Sequence, residues 1–213
     1  MKTILLGATA VLAIATAVTF ARSIFGPLDM KVLTATEKAA CGLSVPVTEG
    51  PYYVSGTAVL KDGNLNASSL AGTPITISGH VYEGAVGSKP IVNAKIEIWH
   101  ADPSGSYHPN SNGDIAKYKP SDIALRGVIA TDANGAYTFN TVYPGEYSGR
   151  TRHIHFKINT GPKTLTTQLI IPSLTGDKIT FDDDTIAQGL PTCALLKVDT
   201  AAKPQTASFD FRL

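Results

Sequence analysis

Within residues 75–82, Ile75, Ile77, Gly79 and Val81 alternate with Thr76, Ser78, His80 and Tyr82. A period of two puts one set on a packed face of a β-strand and the other set on the opposite face. Ala94, Ile96 and Ile98 alternate in the same way with Lys95, Glu97 and Trp99. Further strands are expected at Gly127–Ala130, Ala136–Asn140, Arg152–Ile158, Thr166–Ile171 and Ala207–Leu213. Turn-forming clusters such as Asp132-Ala133-Asn134-Gly135 separate them. No segment after residue 41 sustains a helical period. Short strands at this spacing predict an all-β fold, an antiparallel β-sandwich. There is no internal repeat and no low-complexity linker, so residues 47–213 are expected to form a single domain behind a connecting segment at 31–46.

Composition narrows the function classes. Hydrophobic residues make up 43% of the 213 and charged residues 16%, too apolar and too weakly charged for a disordered chain. A formal charge of +1 with no basic stripe argues against nucleic acid as a partner. At the start of the chain, Lys2 precedes an uncharged run from Thr3 to Ala21, and Arg22 closes it. That is the pattern of a secretory signal over residues 1–30, with Ala15-Thr16-Ala17 as one candidate cleavage site and Thr19-Phe20-Ala21 as a poorer one. Left uncleaved, the same run is nearly long enough to anchor the protein in a membrane. Either way the remainder is expected to be secreted or extracytoplasmic, with a membrane as partner only if the segment is retained. In an exported domain Cys41 and Cys193, near the two ends of the folded part, form a candidate disulfide, the alternative being two buried thiols. Asn66-Ala67-Ser68 is a glycosylation sequon that matters only in a eukaryotic host.

The chemistry-bearing residues lie between Trp99 and Gln168. Arg152-His153-Ile154-His155-Phe156 places two imidazoles at i and i+2, on one face of a strand and able to supply neighbouring sites on one metal ion. No nearby cysteine completes a zinc set, and no carboxylate completes a facial triad. The neighbours are tyrosines instead: Tyr107, Tyr143 and Tyr147. Ionising one phenol at pH 7 costs roughly 4 kcal/mol. Two cost on the order of 8 kcal/mol, which only a strongly Lewis-acidic ion such as Fe(III) offsets.

Five ordered segments carry a wider likeness: Thr48-Glu49-Gly50-Pro51-Tyr52-Tyr53; Ile98-Trp99-His100-Ala101-Asp102 leading to Gly105-Ser106-Tyr107; Thr131-Asp132-Ala133-Asn134-Gly135-Ala136-Tyr137; Pro144-Gly145-Glu146-Tyr147; and Gly149-Arg150-Thr151-Arg152-His153-Ile154-His155. Over about Val47 to Pro172 the chain resembles the intradiol ring-cleavage dioxygenases, the family of catechol and protocatechuate dioxygenases. That resemblance implies a catalytic β-sandwich with a non-haem Fe(III) cofactor, a catechol-type substrate, O2, and a cis,cis-muconate-type product. It implies Tyr107, Tyr147, His153 and His155 as metal ligands, with Tyr147 also acting as a base. Arg150 is the residue implied to steady charge on the substrate, and Thr48, Pro51, Tyr52 and Gln168 the residues lining its pocket.

Each assignment has a competitor. Tyr143 and Tyr137 compete as core tyrosines for the place of Tyr147, and Tyr118 competes with Tyr107. His108 sits beside Tyr107, His100 continues a strand as a packed structural histidine, and Arg152 rivals Arg150. Trp99, the single tryptophan, is expected to fill core. Only Ser148 and Gly149 separate Tyr147 from Arg150, a much shorter connection than in many intracellular members, and no helical segment of the kind on which catechol-type members dimerise precedes the sandwich. Substrate choice and oligomeric state stay open. The alternative class is a non-catalytic exported sandwich module of the transthyretin or carboxypeptidase-regulatory kind, which has no use for the His-x-His pair or the segment at 48–53.

Overall fold

The computed structural model describes residues 42–213. The signal or anchor expected at 1–30, most of the segment at 31–46 and Cys41 lie outside the described residues. The strands are β1 (Val54–Ser55), β2 (Pro74–Tyr82), β3 (Lys95–Trp99), β4 (Gly113–Asp114), β5 (Arg126–Ala130), β6 (Ala136–Val142), β7 (His153–Asn159), β8 (Thr164–Ile170), β9 (Val198–Asp199), β10 (Gln205–Ser208) and β11 (Phe211–Arg212). Among the described residues the α-helix is confined to one turn, α1 (Thr185–Gln188), as the missing helical period predicts.

Two main sheets face each other. The four-stranded sheet runs β5-β3-β7-β8, every neighbour antiparallel. The other is built on β2, which pairs antiparallel with β6 and parallel with β10 and β11, while β9 extends it beyond β10. The parallel pairs depart from the antiparallel expectation, because the long connection after β8 returns the chain to the β2 sheet in the direction of β2 itself. Phe139 of β6, Phe156 of β7 and Phe211 of β11 meet between the sheets, with ring centres 5.9 Å and 5.0 Å apart. Ile75, Ile77, Ile96, Ile98, Ile154 and Ile158 surround them and are fully buried.

The strand expected at 207–213 is split. The side chain of Asp210 takes the N–H of His80, and Tyr137 donates its hydroxyl to the carbonyl of Phe209, so regular pairing stops for two residues and resumes at Phe211. Cys193 lies in the short turn Thr192–Ala194 and is disulfide-bonded; the expected partner, Cys41, is outside the described residues.

Candidate metal centre

β3 differs from an ordinary half-exposed strand, since Ile96, Glu97, Ile98 and Trp99 are all buried. Both faces of this sheet are therefore covered: one by the core, the other by loops. Residues directly opposite across antiparallel strands share a face. Trp99 pairs with Arg126 and with His155, and His155 pairs with Gln168. Arg126, Trp99, His155 and Gln168 thus form a row across all four strands on the outer face. His153, two residues from His155, lies beside the row.

The tyrosines arrive on loops. Gly105 and Gly145 let the turn before Tyr107 and the turn before Tyr147 pack backbone to backbone: a Cβ on Gly105 would strike the carbonyl of Glu146, and one on Gly145 would meet the carbonyl of Pro103 at 2.6 Å. The N–H of Gly145 donates to the carbonyl of Asp102 at 2.8 Å across this contact. Tyr147 and Arg150 exchange both backbone hydrogen bonds, at 3.1 and 2.7 Å, around Ser148 (φ 36°) and Gly149 (φ 77°). Positive φ at both central positions makes this a tight hairpin turn, which fixes Tyr147 against Arg150.

Four donor atoms converge there. Tyr107 Oη is 3.0 Å from His155 Nε2, 3.3 Å from Tyr147 Oη and 3.5 Å from His153 Nε2, and Tyr147 Oη is 3.3 Å from His153 Nε2. His153 Nδ1 donates to the carbonyl of Thr151 at 2.6 Å, which leaves its Nε2 as a lone pair facing both phenols. The ring of His155 is set by packing: it stacks on Trp99 at 4.8 Å between centres and 12° between planes. Tyr107, His153 and His155 are buried, and Tyr147 is half-buried. Among the described residues no three His, Cys, Asp or Glu side chains converge as a metal site, so the partners of the two histidines are phenols.

Burial, reinforced for His153 by Arg150, pushes the His153 imidazole down to about 3, and burial takes His155 well below its ordinary value. Both are neutral donors. Burial also raises Tyr107 well above the ordinary phenol value and raises Tyr147 less, against the opposing effects of a Tyr107 hydrogen bond and of Arg150. Without a cation both phenols hold their protons. Two neutral imidazoles and two phenols at these spacings fit neighbouring ligands of one ion with bonds of about 2 Å. The ion has to be acidic enough to displace two phenolic protons, and Fe(III) suits that donor set.

Burial pushes a third imidazole, that of His100, down to about 4. Below pH about 6.5 an unfolded chain protonates all three histidines while the folded chain does not, so stability is full above that pH and is lost as pH falls. Each contributes a slope of up to about 1.4 kcal/mol per pH unit. Thermal unfolding of the ion-free protein is expected to show its midpoint falling between about pH 6.5 and 4.5, above the range where aspartates titrate; a flat profile there would contradict the burial of neutral histidines.

Around the donors, Arg150 Nε donates to both carboxylate oxygens of Asp184 at 3.0 and 2.8 Å, and its Nη2 donates to Gln168 Oε1 at 2.6 Å. Gln168 Nε2 donates to the carbonyl of Thr48 at 3.4 Å. Tyr52 stacks on Tyr107, with centres 4.4 Å apart and planes at 22°, and meets Tyr147 edge-on at 5.9 Å. Pro51 is exposed at the turn before Tyr52, and the Thr48 hydroxyl accepts from the N–H of Gly50 at 3.3 Å. The candidate residues 48, 52, 107, 147, 150, 153, 155 and 168 are thus linked by direct contacts, with Pro51 at their edge.

The competitors lie elsewhere. Tyr143 is core, and Tyr137 bonds to Phe209. Tyr118 donates to the carbonyl of Asn112 at 2.5 Å. His108 pairs with Asp102 at 2.8 Å, and His100 bonds the Ala101 carbonyl and the Thr141 hydroxyl, both at 2.7 Å. Arg152 points away into a pair with Asp177 at 2.5 Å. Trp99 is buried as expected and also carries His155 on its face. Two neighbours were not anticipated. Asp184 shows in sequence only as a helix N-cap before Thr185, and Arg126 as a single charge inside the apolar run Leu125–Ile129.

Fold and site together describe a β-sandwich with a two-histidine, two-tyrosine donor cluster on the outer face of its four-stranded sheet. Residues 48–213 match the sequence model of the dioxygenase family. The chain belongs to the intradiol ring-cleavage dioxygenase family. It is similar to a catechol 1,2-dioxygenase of Acinetobacter baylyi, 32% identical over 82% of this chain and 61% of that enzyme, so it spans less than two thirds of that relative's length. Among solved structures it is similar to the dioxygenase domain of a dioxygenase carbohydrate-binding protein fusion from Streptomyces sp. SirexAA-E, with TM-score 0.64 and 31% identity over 80% of this chain and 97% of that one. An intradiol ring-cleavage dioxygenase from Tetranychus urticae shares the fold, with TM-score 0.68 at 23% identity, covering 81% of this chain and 94% of that one.

Proposed function

We propose that this protein cleaves catechol-type rings with O2 at a non-haem ferric centre held by Tyr107, Tyr147, His153 and His155. The bond between the two hydroxyl-bearing carbons breaks, both oxygen atoms enter the product, and a cis,cis-muconate-type diacid leaves. The catechol supplies all the electrons, so no outside reductant is required. The observation that carries this reading is the convergence of two neutral imidazoles and two buried phenols at 3.0–3.5 Å. Catechol, chlorocatechol and hydroxyquinol are the substrates named for relatives of this chain, and the aromatic 1,2-diol is what they share.

A ferric ion held by Tyr107, Tyr147, His153 and His155 would supply Lewis acidity towards a catechol-type substrate. The chain's own groups do the rest. Tyr147, half-buried on its two-residue turn, would, once ionised as a ligand, be the phenolate placed to take a proton from an incoming catechol hydroxyl. Tyr107 is buried and stays in place. Arg150, held on one side by Asp184, presents a fixed positive charge to the ring as negative charge develops there. Gln168, held by Arg150 and Thr48, and the Tyr52 ring shape the wall against which the aromatic plane lies. We also read residues 1–30 as an export signal or anchor, which places the activity outside the cytoplasm.

The test is product identity. Ferric-loaded protein with catechol under 18O2 is expected to consume one O2 per ring and to release a diacid carrying both labelled atoms. A hydroxy-semialdehyde product, or no oxygen uptake, would overturn the reading.

A further inference from the structure

We infer that Arg126 is a positioning residue for Tyr107: it ties together the two loop segments that enclose this phenol and sets a permanent positive charge against its ring. The inference rests on the reading of Tyr107 as a metal ligand and adds what keeps that ligand in place. Arg126 opens β5 at the end of the row that runs through Trp99 and His155. Its side chain is buried, with the residue 6% exposed. Nε donates to the carbonyl of His108 at 2.7 Å and Nη2 to the carbonyl of Pro109 at 2.7 Å, so it grips the two residues that follow Tyr107. Nη1 donates to the carbonyl of Tyr52, whose ring covers Tyr107 from the other loop. The guanidinium carbon lies 5.6 Å from the centre of the Tyr107 ring.

Three carbonyls take one N–H from each of its three nitrogens and supply no counter-charge. Among the described residues no carboxylate forms an ion pair with Arg126. The guanidinium is cationic at neutral pH, and the ring it faces is the phenol of Tyr107. A buried cation with no anion is unfavourable. The arrangement becomes favourable when Tyr107 is an anionic donor, because a ring bearing negative charge attracts a facing cation more strongly. Tyr147 is held differently: it is half-buried, Arg152 grips the Pro144 carbonyl three residues before it, Glu146 accepts from the N–H groups of Lys178 and Ile179, and its turn is closed by Arg150. Arg126 thereby makes the two tyrosines unequal: Tyr107 is buried with a guanidinium over its ring, and Tyr147 is half-buried.

The test uses the Tyr147→Phe protein, in which Tyr107 is the remaining phenol of the cluster, so that any phenolate-to-ferric absorption band reports on Tyr107 alone. Ferric ion is titrated against a competing chelator, and the band is recorded in this background with and without Arg126→Met and Arg126→Lys. Arg126→Met is expected to weaken ferric affinity at least tenfold and to move the band to longer wavelength, since the phenolate loses a stabilising charge. Arg126→Lys keeps the charge without the three-carbonyl grip and is expected to recover part of the affinity. A folded Arg126→Met protein with affinity within twofold and an unmoved band would reduce Arg126 to a structural role. If Arg126→Met does not fold, Arg126→Lys decides, and affinity and band equal to the parent would overturn the inference. No band in Tyr147→Phe itself would remove Tyr107 as a ligand, which is the failure of the underlying reading and is seen before Arg126 is touched.

Discussion

The double variant Tyr107→Phe/Tyr147→Phe is expected to lose ferric binding outright and to keep its fold. The two hydroxyls bond only to each other and to the two imidazoles, so removing them leaves the buried Nε2 atoms of His153 and His155 unpaired and disturbs nothing beyond the cluster. Burial already disfavours their ionisation, and the ion-free protein should lose about 1–3 kcal/mol, the scale of leaving buried imidazole nitrogens without a partner. What disappears is the anionic oxygen that suits a ferric ion. Iron content after ferric loading and dialysis measures it: the parent is expected to retain one ion per chain, the double variant none. Undiminished iron in the double variant would mean that the phenols are not ligands.

Asp184→Ala is expected to have the largest effect on stability. Asp184 is fully buried and accepts five hydrogen bonds: two from Arg150 Nε, one from the N–H of Thr151, and those of Ile186 and Ala187 at the start of α1. Burial alone would raise its pKa, but the α1 N–H groups, Arg150 and Thr151 outweigh that and hold it below the usual carboxylate value. Removing it leaves a largely buried guanidinium without its anion, a loss of about 3–5 kcal/mol. Asp184→Asn keeps an acceptor for the helix and is expected to fold better while leaving Arg150 poorly oriented, so kcat should fall more than KM rises. Denaturant unfolding with steady-state kinetics measures both. A loss under about 1 kcal/mol in Asp184→Ala, with kcat intact, would show that Arg150 is positioned by something else.

These two variants mark what was legible before the structure. The imidazoles announce themselves by type and spacing, because His153 and His155 share a strand face whatever the tertiary fold, whereas the family resemblance, not spacing, singled out Tyr107 and Tyr147 among the tyrosines. The core strands were equally plain, because alternation is a local property. Asp184 and Arg126 are different. Their importance comes from packing between segments far apart in the chain, with Asp184 34 residues from Arg150 and Arg126 74 from Tyr52. Local pattern carries no record of such meetings. The break between β10 and β11 has the same origin, a side chain of residue 210 replacing a backbone partner for residue 80. β3 hid part of its role for a related reason: Glu97 sits where alternation calls for a solvent face, and it is buried.

The most direct test of the ferric, four-donor site is the visible spectrum of the purified protein as ferric ion is added and catechol follows without oxygen. A broad phenolate-to-ferric band that appears on loading, moves to longer wavelength with catechol, and is missing from the Tyr107→Phe/Tyr147→Phe variant is the predicted result. A protein that binds ferric ion yet stays colourless, or a band that survives in the double variant, would contradict it.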